Sequence, residues 1–236
     1  MNEYQSRTRL LVGDEAADRL ARTRVIVFGV GGVGSWCVEG LVRSGVRHVT
    51  IVDPDRVCPS NVNRQLMATA TTVGQVKVDA LKAHLLEISP EAEITAHHEA
   101  FSADTADSFN LDGYDFVIDA IDSLQDKMLL IRTALASRAR LFSSMGAARK
   151  LDPTRVSVAE FWKVRGCPLA RSLRQGFKRS GLMPQRKFKC VFSDELLDNA
   201  GTPQEPRANG SMVHVTAVFG FTLAGLVVEE VVKQEN

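Results

Sequence analysis

Donor side chains suited to phosphate groups are concentrated between residues 53 and 77. The stretch DPDRVCPSNVNRQ, residues 53–65, is a long polar loop, and its Asn61, Asn63 and Arg64 supply amide and guanidinium donors. Lys77 follows in VGQVKV, near the start of a predicted helix, where the helix dipole disfavours a cation. A polyphosphate beside Lys77 would offset this cost. A single loop arginine is usually a solvated surface charge, so the prediction of a phosphate site depends on the whole group.

A glycine-rich turn precedes this polar loop. Residues 25–36, VIVFGVGGVGSW, form an apolar strand that runs into four glycines, of which Gly29, Gly31 and Gly34 satisfy the G-x-G-x-x-G pattern. Asp53 ends the next predicted strand, where a carboxylate can accept hydrogen bonds from ribose hydroxyls. These features predict a nucleotide site, either for a dinucleotide in redox chemistry or for ATP in group activation. The alternative is that the glycines only let the helix pack on the strand.

Two further carboxylates follow the fourth predicted strand in DAIDS, residues 119–123. Asp119 and Asp122 are therefore expected at the carboxyl end of that strand, which is the sheet edge where ligands bind. Asp122 is a candidate ligand for Mg²⁺ bridging the phosphates of a nucleotide. It is also a candidate N-cap for the helix predicted over residues 123–138, and one carboxylate cannot easily do both.

Short apolar strands alternate with helices over the part of the chain that carries these motifs. The strands are predicted at residues 25–28, 48–53, 93–98, 115–120 and 139–146, and the helices at about 34–44, 74–89 and 123–138. Strands that alternate with helices need crossover connections, which produce a mainly parallel sheet covered on both faces. We therefore expect an α/β fold with a Rossmann-like, doubly wound, mainly parallel sheet.

The pattern changes after Gly146. Residues 154–161, TRVSVAEF, and 187–193, KFKCVFS, predict strands of a different sheet region, an antiparallel extension, with no long helix between them. Residues 198–211 are rich in Gly, Pro and Asn and predict a mobile surface loop. An apolar helix over residues 213–228 is shorter than the roughly 20 residues that span a bilayer, so we expect a core helix rather than a membrane span.

Charge is distributed unevenly along the chain. The net charge is +1, but residues 149–189 contain twelve Lys or Arg against Asp152 and Glu160, a local net charge of +10. Concentrated positive charge indicates an anionic partner such as nucleic acid, and a solvated flap is the alternative. We expect a single domain over residues 1–236, with a nucleotide-binding core at 1–148, a basic substrate-binding extension at 149–210 and a C-terminal core helix at 211–236.

The motifs GVGGVGS, NVNRQ, VGQVKV and DAIDS, in this order and with Asp53, resemble the adenylation domain of the ThiF/MoeB/HesA family, which is related to the ubiquitin-activating enzymes. Later stretches, LDPTRVSV, CVFSDE and SMVHVTAVFGFTLAG, are similar to one branch of that family, the tRNA threonylcarbamoyladenosine dehydratases. The chain lacks the paired C-x-x-C zinc motifs that the sulfur-carrier activators of the family usually have, so we expect no structural zinc.

The resemblance implies roles for the motif residues. Phosphate contacts are implied for Asn61, Arg64 and Lys77, and contact with Mg²⁺ and the reacting groups for Asp122. Arg9, in RTRLLVG, resembles an arginine that the family supplies across a dimer interface, which implies a homodimer; Arg7 is the alternative. The candidate catalytic residues are Arg9, Arg64, Lys77 and Asp122. The candidate nucleotide-binding residues are Gly29, Gly31, Gly32, Gly34, Asp53, Asp55, Asn61, Asn63, Arg64, Gln65, Lys77, Asp119, Asp122 and Ser123.

The implied reaction uses ATP to adenylate the threonylcarbamoyl carboxylate on the adenosine next to a tRNA anticodon, and a nitrogen of the same group then closes a ring with net loss of water. ATP and Mg²⁺ are the expected cofactors and tRNA the expected partner, with a monovalent cation and a sulfur-transfer protein as further candidates. Cys190 and Cys167 are weighed for a covalent role, although a cysteine within a strand is more often a core residue. The first ten residues contain no apolar signal segment, so a cytoplasmic location is expected.

Two other functions share part of this pattern. A family member that adenylates the carboxyl terminus of a ubiquitin-like or sulfur-carrier protein would use every ATP-binding residue, but it would not need the basic segment. A non-catalytic NAD-binding module would use the glycine-rich turn and Asp53, but it would leave Arg64, Lys77 and Asp122 without a role.

Overall fold

A computed structural model describes residues 3–202 and 209–233 of the 236-residue chain. Its centre is a seven-stranded sheet in the order β3-β2-β1-β4-β5-β7-β6. The described neighbouring strands are parallel, except that β6 is antiparallel to β7. The strands are β1 (Arg24–Phe28), β2 (His48–Val52), β3 (Glu93–His97), β4 (Phe116–Asp119), β5 (Arg140–Ser144), β6 (Val156–Glu160) and β7 (Lys189–Ser193).

Helices cover both faces of the sheet, as expected for a doubly wound α/β fold. They are α1 (Ser6–Val12), α2 (Asp14–Arg22), α3 (Gly34–Arg43), α4 (Lys77–Ile88), α5 (Leu124–Ala136), α6 (Pro168–Ser180) and α7 (Val213–Val232). One hydrophobic core joins the sheet to α3, α4 and α7, and the other joins it to α5 and α6. The central strands β1 and β4 are buried on both faces, which explains their continuous apolar sequences.

The predicted strands and helices of the first 146 residues are confirmed, with differences of a few residues at their ends. Two N-terminal helices, α1 and α2, were not predicted. They are separated at Gly13, whose φ of +82° lies in the region that favours glycine. The α2 helix packs through Leu20 into the core that contains α7.

The region after Gly146 differs from the prediction in two respects. First, β7 is hydrogen-bonded in parallel to β5 and continues the main sheet, so only β6 forms the antiparallel extension in the described residues. Second, a helix of 13 residues, α6, lies between β6 and β7. Its apolar residues Ala170, Leu173 and Phe177 follow helical spacing and are buried, and the many basic residues around them concealed this pattern. Of the predicted 198–211 loop, residues 203–208 lie outside the described residues.

The C-terminal helix α7 extends beyond its predicted end at residue 228. It is 20 residues long and apolar enough to cross a bilayer by length and composition, but half of its most apolar window is buried inside the protein. Phe219, Leu223 and Val227 are fully buried against the sheet and neighbouring helices. The predicted length was therefore wrong, whereas the burial agrees with the predicted core helix.

The strand order places a topological switch point between β1 and β4. The chain leaves β1 towards β2 on one side and leaves β4 towards β5 on the other, so the two following loops separate and leave a crevice. The glycine-rich turn follows β1 and the DAIDS loop follows β4. The fold thus brings together the motifs that the sequence analysis singled out.

Candidate functional site

A cavity of about 1300 Å³ opens at the carboxyl ends of the parallel strands, at this switch point. Of the fourteen candidate nucleotide-binding residues, eleven line it. They are Gly29, Gly31, Gly32, Asp53, Asp55, Asn63, Arg64, Gln65, Lys77, Asp122 and Ser123. Gly34, Asn61 and Asp119 are not among the residues that line it, and neither is the candidate catalytic residue Arg9.

The glycines of the turn have different tasks. Gly29 has a φ of +83°, and a Cβ there would lie 2.7 Å from the carbonyl oxygen of Ala120. Gly34 opens α3, and a Cβ there would lie 1.8 Å from the carbonyl oxygen of Gly29. These two glycines therefore let the turn close and the helix pack. Gly31 and Gly32, by contrast, expose their backbone to the cavity, where a bound group can approach closely.

Asp53 follows β2 and is held by the backbone on both oxygens. Its Oδ2 accepts from the N–H of Val30 at 2.9 Å, and its Oδ1 accepts from the N–H of Asp55 at 2.9 Å. Burial raises the pKa of the Asp53 carboxyl above its usual value, while Lys77 and the two backbone donors oppose that shift. The contact with Val30 ties the carboxylate to the glycine-rich turn, and Asp53 still faces the cavity.

Lys77 is the first residue of α4 and is buried. Its Nζ lies 2.7 Å from Asp55 Oδ2 and 3.7 Å from Asp53 Oδ1. These carboxylates offset the unfavourable helix dipole. The sequence had suggested that a polyphosphate would be needed for this. The ammonium group is therefore fixed at the cavity wall by the protein's own charges.

Arg64 and its neighbours in the polar loop also line the cavity. The Nη1 of Arg64 donates to the carbonyl oxygen of Ser60 and to Asn63 Oδ1, both at 2.9 Å. Asn63 Nδ2 donates to the carbonyl oxygen of Ser211, which links the loop to the chain before α7. Gln65 is buried and its Oε1 has no hydrogen-bond partner in the described structure. Such an orphaned acceptor at the cavity favours a ligand that donates a hydrogen bond.

Asn61 has a local structural role. Its Oδ1 accepts from the backbone N–H of Cys58 at 3.1 Å, which closes the short turn of residues 59–61. The side chain is therefore engaged with the backbone of its own loop. Its predicted phosphate contact gains no support from the geometry, although the turn that it stabilises carries the cavity residues Pro59 and Ser60.

Asp122 is exposed at the cavity, and no hydrogen bond or ion pair of its carboxylate occurs within the described residues. The N-cap of α5 is Ser123, and no side chain caps that helix end. The alternative in which Asp122 caps α5 is therefore not realised. Asp126, in the first turn of α5, also lines the cavity. One or two carboxylates beside phosphate groups are the environment that Mg²⁺ usually takes, so this pair fits the metal that the resemblance implies.

Asp119 points into the protein rather than into the cavity. It is fully buried, and its Oδ1 accepts from Lys127 Nζ at 2.9 Å while its Oδ2 accepts from Ser143 Oγ at 2.7 Å. Lys127 Nζ also donates to the carbonyl oxygen of Ile121 at 2.9 Å. The pair thus fixes the loop that presents Asp122. The structure does not bring Asp119 to the nucleotide-binding residues, and its expected ligand contact is not supported.

Arg9 lies on α1 outside the cavity of its own chain. Its Nη1 and Nη2 pair with Asp14 and Asp18 of α2 at 2.9 and 2.6 Å. Both carboxylates raise the pKa of Arg9, and the guanidinium lowers the pKa of Asp18. Next to Arg9, Leu10 and Leu11 are 79% and 86% exposed. An apolar helix face this exposed marks a surface suited to contact with another protein.

Several cavity residues were missed by sequence reasoning. They are Phe28, Val33, Val52, Pro54, Pro59, Ser60, Glu99–Phe101, Ala120, Ile121, Asp126, Ser144–Ala148, Leu169, Asn199–Thr202, Asn209–Ser211 and Thr216. Residues 99–101 and 145–148 follow β3 and β5, so their place after a strand was a usable signal. No local pattern marks Leu169 or Thr216, because long-range packing alone brings them to the cavity.

The cysteines weighed for a covalent role are buried. Cys190 lies within β7 with no exposed surface, and burial raises the pKa of its thiol well above the usual value. Cys167 is 4% exposed beneath Gly146. Neither lines the cavity. Within residues 3–202 and 209–233, no group of three or more His, Cys, Asp or Glu residues could hold a metal ion.

Comparisons with known proteins show the family of the chain. A family model described as the ThiF family matches residues 4–234. A tRNA threonylcarbamoyladenosine dehydratase of Bacillus subtilis is 37% identical over 241 residues, which cover 97% of this chain and 94% of that protein. The crystal structure of the Escherichia coli tRNA N6-threonylcarbamoyladenosine dehydratase, TcdA, in complex with ATP is similar with a TM-score of 0.88 at 32% identity, covering 97% of this chain and 93% of that chain. The complex of the same E. coli enzyme with AMP gives a TM-score of 0.89, with 97% and 94% covered.

Proposed function

This chain belongs to the ThiF family, and from that membership we propose that it is an ATP-dependent tRNA threonylcarbamoyladenosine dehydratase. Similarity to dehydratases of this name extends over nearly the whole chain, and one such relative has been crystallised with ATP. The observation that carries the proposal is the single cavity that unites the glycine-rich turn with Arg64, Lys77 and Asp122. A dinucleotide site for redox chemistry needs the glycines and Asp53, but not these three residues.

The residues of the cavity fit ATP in their chemistry. Gly31 and Gly32 leave open backbone for phosphate oxygens, Asp53 offers a carboxylate for ribose hydroxyls, and Gln65 Oε1 lacks a partner. Arg64 and Lys77 supply positive charge at the cavity. When bound, ATP supplies the adenylyl group that activates the substrate carboxylate, with release of pyrophosphate.

The chain's own residues then position and stabilise charge. We propose that Lys77 and Arg64 bind the phosphates, where preorganised cations stabilise the charge that develops as the carboxylate oxygen attacks the α-phosphorus. Asp122 would hold Mg²⁺ beside them, and Asp126 would add negative charge at the same cavity. Little bond-making chemistry falls to the protein, so most of its contribution is orientation and electrostatics.

We propose that the second step is ring closure within the substrate. A nitrogen of the threonylcarbamoyl group attacks the activated carbonyl carbon, the bond to AMP breaks, and the nitrogen's proton passes to solvent. The carboxylate oxygen leaves with AMP, so the substrate loses the elements of water. No enzyme nucleophile is needed, which agrees with the burial of Cys167 and Cys190.

We propose a homodimer in which Arg9 reaches the partner's cavity. The support is threefold: Arg9 does not line its own cavity, its side chain is prepositioned by Asp14 and Asp18, and Leu10 and Leu11 beside it are exposed. A cytoplasmic location is also proposed. A monovalent cation and a sulfur-transfer partner stay predictions without support from the geometry.

Reconstitution with purified components tests the function. The protein, ATP and Mg²⁺ are incubated with tRNA that carries threonylcarbamoyladenosine, and the nucleosides are recovered under mild conditions for mass spectrometry. We expect a mass loss equal to water on that nucleoside alone, with AMP and pyrophosphate released in equal amounts. An unchanged nucleoside, with pyrophosphate released only when a carrier protein is added, would support the carrier-protein activator instead. Tight NAD binding without ATP binding would support the NAD-binding module.

A further inference from the structure

The twelve basic residues between 149 and 189 fall into two groups of six. One group is engaged in the fold. Arg149 and Arg155 pair with Asp198 and Asp194, Lys150 donates to the Glu195 carbonyl, Arg174 donates to the Phe161 and Val164 carbonyls, Arg186 donates to four carbonyls around the end of α5, and Lys189 pairs with Glu230. These six cations are explained by local structure and are not available to a ligand without loss of a contact.

The second group is exposed. Within residues 3–202 and 209–233, none of its side chains makes a hydrogen bond or an ion pair. The six are Lys163, Arg165, Arg171, Lys178, Arg179 and Lys187. We name them the basic face. Exposed charges of one sign repel each other in the free protein, and an anionic partner bound beside them relieves that repulsion.

The packing of α6 determines which side of this helix is exposed to solvent. Ala170, Leu173 and Phe177 pack inward, and a Cβ at Gly176 would lie 2.5 Å from Met128 Sδ, so α6 packs closely on α5. The opposite side of α6 carries Arg171, Lys178 and Arg179, and the helix contains no acidic residue. The inward packing therefore fixes which side of α6 meets solvent.

The helix α6 runs from the cavity towards the far end of α5. Leu169, in the first turn of α6, lines the cavity. The chain after α6 reaches Arg186, which binds carbonyls at the far end of α5, before it enters β7 at Lys189. A helix of 13 residues spans about 20 Å. The exposed cations of α6 thus lie along a stripe of up to about that length, on a helix whose first turn contributes Leu169 to the cavity.

The position of Arg171 on α6 favours a binding surface over cations that only stabilise the helix. Lys178 and Arg179 lie in the last turn of α6, where the helix dipole favours cations. Arg171 lies near the opposite end, where the dipole disfavours a cation, and the first turn contains no acidic residue. Its position is therefore unfavourable in the isolated protein and becomes favourable when a negative group binds beside it.

We infer that the basic face is the surface along which the sugar-phosphate backbone of the tRNA lies when its modified adenosine occupies the cavity. This inference rests on the proposed tRNA substrate. A polyanion with regularly spaced phosphates matches a stripe of cations about 20 Å long better than a compact anion does. Phosphate contacts fix register and orientation without reading sequence, so the stripe serves different tRNAs that share the modification.

The test removes two cations from the stripe and two from elsewhere. The stripe variant is Arg171→Gln with Lys178→Gln. The matched control is Arg22→Gln with Lys82→Gln, which changes the same net charge on α2 and α4, whose apolar residues belong to the core on the other face of the sheet. For each protein, the dissociation constants of tRNA and of ATP are measured separately, the first as a function of KCl concentration.

We expect the stripe variant to weaken tRNA binding about tenfold near 0.1 M salt and to reduce the slope of log K against log salt by about 1.5, since each phosphate contact contributes about 0.7 to 0.9. ATP binding and the midpoint of thermal unfolding should match the wild type. The control variant should keep the wild-type tRNA slope. Arg171→Lys with Lys178→Arg should restore both affinity and slope, because charge rather than shape carries the contact.

Three outcomes overturn the inference while the proposed function stands: a stripe variant with wild-type affinity and slope, a control variant with an equal loss, or loss of ATP binding together with tRNA binding. Failure of the proposed function looks different, since wild-type protein would then leave the modified nucleoside unchanged. If the wild type binds phosphatidylserine vesicles but not tRNA, and the stripe variant loses that binding, the face is a membrane-contact surface and the inference is wrong.

Discussion

The ammonium Nζ of Lys77 lies 2.7 Å from Oδ2 of Asp55, and both residues line the same cavity. A cation at the start of a helix is thereby held in place before any phosphate arrives. Lys77 also opposes the rise in pKa that burial causes at the Asp53 carboxyl. Lys77, Asp55 and Asp53 therefore interact electrostatically as a group. Its members have to be tested for both activity and stability.

Lys77→Gln is expected to reduce the adenylation rate by about 100- to 1000-fold, as loss of a preorganised charge at a reacting group does. It should also lower the free energy of unfolding by about 1 to 3 kcal/mol, because the buried Asp53 loses its cation. The measurements are ATP-dependent pyrophosphate release and urea unfolding. Lys82→Gln on the same helix is the control, and it should change neither. A Lys77→Gln enzyme with more than a tenth of the wild-type rate would contradict the phosphate role.

Asp122 and Asp126 allow a comparison of two carboxylates in one cavity. Asp122→Asn is expected to reduce turnover by at least about 100-fold and to raise the Mg²⁺ concentration needed for half-maximal rate. Asp126→Asn removes the same charge from the first turn of α5 and is expected to cost less than about tenfold. Initial rates across a Mg²⁺ titration measure both effects. Equal losses in the two variants would mean that general negative charge, rather than Asp122 itself, is required.

The buried pair Asp119 and Lys127 should contribute to stability and not to nucleotide affinity. Lys127→Met leaves a buried carboxylate without its cation and is expected to cost about 3 to 5 kcal/mol of unfolding free energy, whereas Asp119→Asn combined with Lys127→Met should cost less than the sum of the single changes. Urea unfolding of the four proteins measures the coupling. ATP titration of folded Asp119→Asn is the second readout. A loss of affinity as large as that of Asp53→Asn would give Asp119 a direct nucleotide role.

Arg9 and Asp122 test the dimer. Neither Arg9→Ala nor Asp122→Ala is expected to be active as a homodimer, because every site lacks one required charge. A mixed dimer that shares Arg9 across the interface contains one complete site and one site with both lesions. Random equal mixing should therefore restore about a quarter of the wild-type activity, provided that the sites act independently. No recovery after subunit exchange, demonstrated by tagged protomers, would show that Arg9 does not act in the partner's site.

The hydrogen bonds that Glu195 accepts from the basic segment are expected to be sensitive to acid. Its Oε2 accepts from the backbone N–H groups of Leu151 and Asp152 at 2.8 and 2.9 Å, and these donors lower the pKa of the carboxyl. The unfolded chain therefore binds this proton more readily than the folded chain does. The resulting stability is present above the ordinary glutamate pKa of 4.5 and is lost as the pH falls through the lowered folded value.

The corresponding measurement is the difference in melting temperature between wild type and Glu195→Gln. We expect the wild type to be the more stable protein at pH 7, with the difference shrinking as the pH falls below 4.5. Glu87→Gln, which removes the same charge from the exposed surface of α4, serves as the control. A difference that stays constant between pH 7 and pH 4 would show that the charge of Glu195 does not hold this loop.

The sequence by itself determined the doubly wound core and the motifs that meet at the cavity. Apolar runs that alternate with helices require parallel strands, and parallel strands gather every following loop at one edge. The glycine-rich turn, Asp53 and Asp122 therefore lie together at that edge, whatever the details of side-chain packing. The ThiF family membership follows from the same motifs, because their residue types and order are local properties of the chain.

Only the tertiary structure decided which members of each motif face the ligand. Asp119 ends β4 opposite Ser143 of β5, and this register turns its carboxylate inward to Lys127, whereas Asp122, in the loop three residues later, meets the cavity. Side-chain direction changes with each residue along a strand, and partners from distant segments determine which direction is stable. In the same way, burial of one side of α6 determines which basic residues support the fold and which are free to meet a polyanion. The number of charges along the sequence does not show this difference.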